Sequence, residues 1–136
     1  HGLIAIGSGG PYAQAAARAI ATDPLYAQSQ AVAHQQPHRV VFDAGANGYH
    51  LTDASGSVLP AAWLGGEHRM SFGPGTDFPD TTIQAAQFGD ANQVSFNELG
   101  VPSTGGTVDV VNGSHRYRVT LIAFTGRTTI QAVTDP

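Results

Sequence analysis

The chain has 136 residues, 41% of them hydrophobic and 12% charged, and its ten acidic side chains outnumber six arginines to leave a net charge of −4. That is the make-up of one folded domain, too apolar to stay disordered and too short for two ordinary domains. With no cysteine there are no disulfides, thiolate zinc sites or thiol nucleophiles, and with no lysine there is no basic stripe for nucleic acid.

Residues 11–36 are rich in Ala and Gln and contain no Gly, which predicts a helix, whereas short blocks of Val, Thr, Asn and Gly dominate from His38 onward. Thr22-Asp23-Pro24 interrupts the helical stretch, and a kink or short break is expected there. Ile20, Leu25, Ala27, Ala31 and Val32 share a helical spacing that predicts one apolar stripe, and Pro37 ends the pattern. Arg39–Asp43 and Tyr49–Thr52 read as strands joined by a turn over residues 44–48. Residues 58–60 extend after a second turn, and two glycine-rich stretches follow. Residues 69–72 and 81–83 are short strand candidates around Gly73-Pro74-Gly75. The last third reads as strands at 94–96, 106–111, 117–122 and 128–131, with Asn112-Gly113 a hairpin signal and Thr125-Gly126-Arg127 a turn. No fixed-period repeat is visible. The expected architecture is α+β, one N-terminal helix packed on a meander-rich antiparallel sheet or sandwich.

Few residues suggest chemistry. His34 and His38 have the spacing of two helical metal ligands, but a helix that stops before Pro37 does not hold both on one face, so solvated helix-end histidines and no metal are expected. Glu67-His68 has the composition of an acid–base pair, yet it sits beside glycines without a nucleophile and reads as a surface loop. Gly7-Ser8-Gly9-Gly10 lacks the remainder of any phosphate-binding pattern. Asp77, Asp80 and Asp90 lack calcium-loop spacing and read as acidic turn residues. Asn112-Gly113-Ser114 matches a glycosylation acceptor but is already explained as a hairpin tip. Trp63 is expected to close the core beside loose glycine-rich sequence. No Ser/His/Asp grouping assembles from local motifs, so no catalytic or cofactor-binding residues are assigned and the chain is not expected to be an enzyme.

Several blocks in order resemble the GspH/FimT family of minor pilins and type II secretion pseudopilins. Leu25–Val32 is similar to the outer half of that family's long helix, Gln36–Asp43 to its helix-to-strand junction, and Gly48–Leu51 to the returning strand. Val94–Pro102 followed by Gly105–Val108 resembles its hydrophobic-x-F-x-x-x-G block and small-residue turn, and Tyr117–Thr120 leading to Thr125-Gly126-Arg127 resembles its closing hairpin. The family's basic leader, cleavage site, early Glu and hydrophobic half-helix are not among these residues. A second, shorter resemblance covers Leu3–Ala19, which looks like a strand, turn and helix of the proteasome-like peptidase subunit HslV without its catalytic threonine; it reads as a graft or cloning-derived replacement for the hydrophobic half-helix.

The resemblance implies two regions, residues 1–20 as the HslV-like segment leading into a helix and 21–136 as a pilin-like globular domain. It implies a non-catalytic building block whose partners are other pilin or pseudopilin subunits. The native protein is then expected in the inner membrane and periplasm or a surface filament, anchored by a hydrophobic helix absent from this chain, while the chain itself is expected to be soluble. Trp63, Leu64, Glu67, His68, Asp77 and Phe78, in the irregular stretches 63–70 and 73–80, are the expected interaction loops. Two other classes are weighed beside this one: a β-rich extracellular module binding glycan or peptide through Trp63, and a fragment related to a proteasome-like peptidase.

Overall fold

The structure, a computed structural model, describes residues 10–61, 66–113 and 115–133. Among the described residues a single helix, α1 (Gly10–His34), precedes ten strands: β1 (His38–Asp43), β2 (Gly48–Thr52), β3 (Pro60–Ala61), β4 (Gly66–Glu67), β5 (Arg69–Ser71), β6 (Thr81–Gln87), β7 (Gln93–Phe96), β8 (Gly106–Asn112), β9 (His115–Leu121) and β10 (Thr128–Val133). Every pairing is antiparallel. One four-stranded sheet has the order β5-β2-β1-β7, a second the order β10-β9-β8-β6, and β3 pairs with β4. This is the α+β arrangement expected from the sequence, resolved into two four-stranded sheets and one short pair.

The helix and both sheets share one core. Ala13, Ala16, Ala17, Ile20, Ala21, Ala27 and Ala31 are buried at three- and four-residue spacing. Alanine at most of these positions lets the helix axis approach the strands closely while costing little side-chain entropy. Leu25 and Val32, expected in that stripe, instead lie on the outer face at 41% and 45% exposure. The buried face is built mainly from alanines, with Ile20 as its large side chain. Alternate residues of β1, Val40 and Phe42, are buried with Leu51 and Tyr49 opposite them, and Val108, Val110, Val119 and Leu121 supply the matching face of the second sheet. Phe42 stacks on Phe88, just beyond β6, at 5.5 Å and so joins the two sheets.

Pro24 does not break the helix. It lies inside an uninterrupted α1 and is buried against the core. Its missing N–H leaves the Ile20 carbonyl without its ordinary helical donor. One residue along, the Thr128 hydroxyl of β10 donates to the Ala21 carbonyl at 2.8 Å, so tertiary contacts hold the turn that proline weakens. At the far end, Gln36 N–H bonds the Ala31 carbonyl and Gln35 N–H the Val32 carbonyl, with Gln35 in the left-handed region at φ 55°. This Schellman closure stops the helix just before Pro37, as expected. No helix among the described residues is long and apolar enough to cross a membrane. Residues 3–9 of the HslV-like segment lie outside the described residues, and the segment's remainder, from Gly10, runs straight into α1.

Candidate functional site

The two ends of β1 organise the surface. At the Asp43 end, the 44–47 turn is fastened to the second sheet by the Asn47 side chain. Its amide donates to the Thr81 carbonyl at 2.9 Å, its oxygen accepts from Ile83 N–H at 2.8 Å, and Phe72 N–H bonds the Asn47 carbonyl. The loop over residues 73–80 hangs from this junction. It is closed by Gly73 N–H to the Phe78 carbonyl, and by the Thr76 hydroxyl, which donates to the Gly73 carbonyl and accepts from Phe78 N–H.

The expected interaction residues separate by burial. Asp77 is exposed on the 73–80 loop, while Phe78 is half-buried, edge-on to Phe72 at 5.2 Å. Glu67 is exposed and pairs with Arg69 at 2.9 Å. An open cleft of ≈ 380 Å³ lies between Arg69–Ser71 and Gly75–Phe78, so the two irregular stretches do meet. Trp63 and Leu64 lie outside the described residues.

His68 is not a surface-loop residue. Its N–H donates to the Leu59 carbonyl and its own carbonyl accepts from Leu51 N–H, which draws the side chain under the sheet to 1% exposure. There its Nε2 lies 3.2 Å from an Asp23 carboxylate oxygen, and its ring packs against Tyr26 at 5.2 Å. The Tyr49 hydroxyl donates to the other Asp23 oxygen. Burial, and then the neighbouring Asp23 charge, push the Tyr49 phenol well above its ordinary range. Asp23 thus faces inward beneath the sheet and ties α1 to β2 and the β4–β5 segment. Among the described residues no group of three or more His, Asp or Glu is arranged to hold a metal.

At the His38 end of β1 lies a surface that the sequence did not signal. The Gln28 amide of α1 donates to the Gly100 carbonyl at 2.8 Å and to the Thr125 carbonyl at 2.9 Å, bridging the 97–101 and 122–127 loops. Gly100 (φ 81°) and Gly126 (φ 76°) close on the Gln28 side chain from two sides; a Cβ at Gly126 would sit 2.6 Å from its nitrogen. These loops carry Leu99 at 77% exposure and Phe124 at 84%, with Val101, Ile122 and the helix residue Val32 also exposed. Phe124 is in the left-handed region at φ 73°, an uncommon conformation for an aromatic residue. An exposed cluster of large apolar side chains on tethered loops has the composition of a protein-binding surface. Isolated hydrophobic residues inside turn sequences gave no periodic signal by which to find it.

The family model for type II transport protein GspH matches residues 16–126. The chain belongs to the GspH family. A solved structure of the minor pseudopilin EpsH from the type 2 secretion system of Vibrio cholerae matches with a TM-score of 0.59 at 16% identity, covering 89% of this chain and 97% of that one. The type IV minor pilin FimU of Pseudomonas aeruginosa matches with a TM-score of 0.60 at 14% identity, over 88% of this chain and 96% of that one. At these identities the structures establish a shared fold. A search of curated proteins gave no match. The family's description, type II transport, and the shared helix-on-sheets fold agree with a structural role in such assemblies.

Proposed function

We propose that this domain is the outward part of a minor pilin or pseudopilin and acts by packing against other pilin-type subunits in a filament. The observation that carries the reading is the GspH match over residues 16–126, seated on one helix that supports two antiparallel sheets. In this reading the inner membrane is reached through a hydrophobic helix that precedes the domain in the native protein. Two surfaces make the contacts. One is the apolar shoulder of Leu99 and Phe124; the other is the cleft between Arg69–Ser71 and the 73–80 loop with Asp77 at its rim. Neither needs catalysis or a cofactor, because association is driven by apolar burial and shape.

The test is genetic complementation with the native full-length protein in a strain lacking it, reading type II exoprotein release and surface piliation. Loss of either activity on deletion is expected. A paired Leu99→Ser and Phe124→Ser variant is expected to fold, because both side chains are exposed and surface changes usually cost within about 0.5 kcal/mol. It should fail to restore assembly. Normal secretion and normal pili in the deletion strain would overturn the proposal.

A further inference from the structure

Among the described residues the two four-stranded sheets end in β5, β7, β6 and β10, and the first three of these edges are closed to further pairing. The outer side of β7 is taken by the segment that follows it. Ser103 N–H donates to the Ser95 carbonyl at 2.7 Å, the Ser103 hydroxyl accepts from Ser95 N–H, and Pro102 bridges to Phe96. The Asn47 side chain caps β6 at Thr81 and Ile83, and a register shift between Ile83 and Ala85 interrupts its ladder. β5 is three residues long and carries the Arg69–Glu67 ion pair. Short strands, bulges, charges and covering segments are the ordinary means of keeping an edge from pairing with another chain.

β10 has none of these. Its six residues, Thr128–Val133, include no charge and no proline, their register with β9 is unbroken, and β9 is their sole strand neighbour among the described residues. Ile122 N–H donates to the Arg127 carbonyl, which therefore faces β9. Backbone groups alternate sides along an antiparallel strand, so Thr129, Gln131 and Val133 bond β9, while the N–H and C=O groups of Thr128, Ile130 and Ala132 point out of the sheet. The strand is fixed in this position by the Thr128 hydroxyl, which is tied to the Ala21 carbonyl of α1. Both faces are open as well, with Thr129 to Ala132 exposed and Ile130 at 39%.

We propose that β10 is a self-pairing edge: in the free domain it adds antiparallel to the β10 of a second copy, joining two four-stranded sheets across a two-fold axis. The occupant follows from the strand's own sequence. A register centred on Ile130 sets Thr128 opposite Ala132 and Thr129 opposite Gln131, so each outward donor meets an outward acceptor. The two Ile130 side chains meet at the axis on the α1 side of the sheet, the side Thr128 also occupies, and form an apolar cross-strand pair. Arg127, which precedes the strand, falls opposite Val133 and so meets no like charge. A strand of this length spans about 20 Å, which makes the contact small and weak. It is separate from the filament contacts proposed above, because a two-fold pairing closes on itself and a filament needs a head-to-tail contact that does not close.

The experiment is a dilution series of the 15N-labelled chain from about 1 mM downward, the scale of weak contacts, read by sedimentation equilibrium and by the backbone amide resonances. A monomer–dimer equilibrium is expected. The amide protons of Thr128, Ile130 and Ala132 should shift with concentration, while those of Thr129, Gln131 and Val133, already bonded to β9, move little. Ile130→Lys sets two cations opposite each other at the axis and should weaken association by about tenfold. The side chain is on the surface, so the melting temperature of this variant should stay within a few degrees of the parent. A chain that is monomeric at about 1 mM, an Ile130→Lys variant that associates as the parent does, or shifts centred on Leu99 and Phe124 would each overturn the self-pairing. So would outward amides of β10 that respond only when a different pilin-type subunit is added.

Discussion

Replacing Gln28 with alanine tests whether one side chain holds the apolar shoulder in place. The amide donates to two carbonyls more than seventy positions away in sequence, at 2.8 and 2.9 Å. The two bonds are unequal in worth. Gly100 is buried, so its carbonyl loses a partner that water replaces poorly, at a cost of about 1–2 kcal/mol, whereas Thr125 is exposed and its carbonyl rehydrates for less than about 1 kcal/mol. The sum is about 2 kcal/mol, and at roughly 2–4 °C per kcal/mol for a chain of this size the melting temperature falls by about 6 °C. Gln28→Glu should do more damage, because a carboxylate presents no donor and faces two carbonyl oxygens across the same short distances. Urea unfolding followed by circular dichroism measures both variants, and amide exchange at Gly100 and Gly126 reports the loosened loops. If Gln28→Ala loses less than about 0.5 kcal/mol and Gln28→Glu is no worse, the bridge does not anchor the loops and the argument is wrong.

Asn47→Ala removes the two bonds to Thr81 and Ile83 that join the sheets at the opposite end and leaves a left-handed residue (φ 56°) without the side chain that favours it; a loss of about 2–3 kcal/mol in urea unfolding is expected. Tyr49, whose phenol is held well above its ordinary range by burial and by Asp23, gives an alkaline signature. The folded state binds this proton more tightly than the unfolded state does. Its contribution is therefore intact below the unfolded value near 10 and is lost as pH rises toward the higher folded value. Unfolding midpoints of the parent should drop between neutral pH and about pH 11, and Tyr49→Phe should flatten that drop; an equally steep fall in the variant would remove Tyr49 as its source. Leu99→Ser with Phe124→Ser should leave the unfolding midpoint nearly unmoved while abolishing co-purification with other pilin subunits, and a large stability loss would show that the shoulder belongs to the core.

The strands were legible because their pattern is local. Arg39–Asp43 alternates and is followed by a glycine turn, and Asn112-Gly113 joins β8 to β9, so hairpin order could be read from neighbouring residues. Which face of the helix is buried could not be read in the same way. A hydrophobicity pattern favours Leu25 and Val32 over alanine, yet the buried face of α1 is made of alanines around Ile20, and the larger pair is left outside. The position of His68 was hidden for a different reason. Its burial depends on backbone bonds to Leu59 and Leu51 and on a carboxylate 45 positions earlier, and none of these leaves a trace beside Glu67.

Pro24 and Asp23 are best understood as one device. A sequence reading treats Asp-Pro as a helix start, since aspartate caps and proline suits a first turn. In the fold the same pair sits mid-helix, with the proline ring buried against the core and the aspartate beneath the first sheet, where it meets His68 and Tyr49. The local preference to interrupt the helix is outweighed from both sides. Thr128 of the second sheet bonds the carbonyl next to the one proline orphans, and the polar contacts of Asp23 bind the first sheet to the same turn. The helix is thus fastened to both sheets at its weakest point, while Gln28, a little more than one turn later, fastens the loops that carry Leu99 and Phe124. In the contact role proposed for this domain, that order sets the joint one turn from the Gln28 bridge that holds the proposed contact loops.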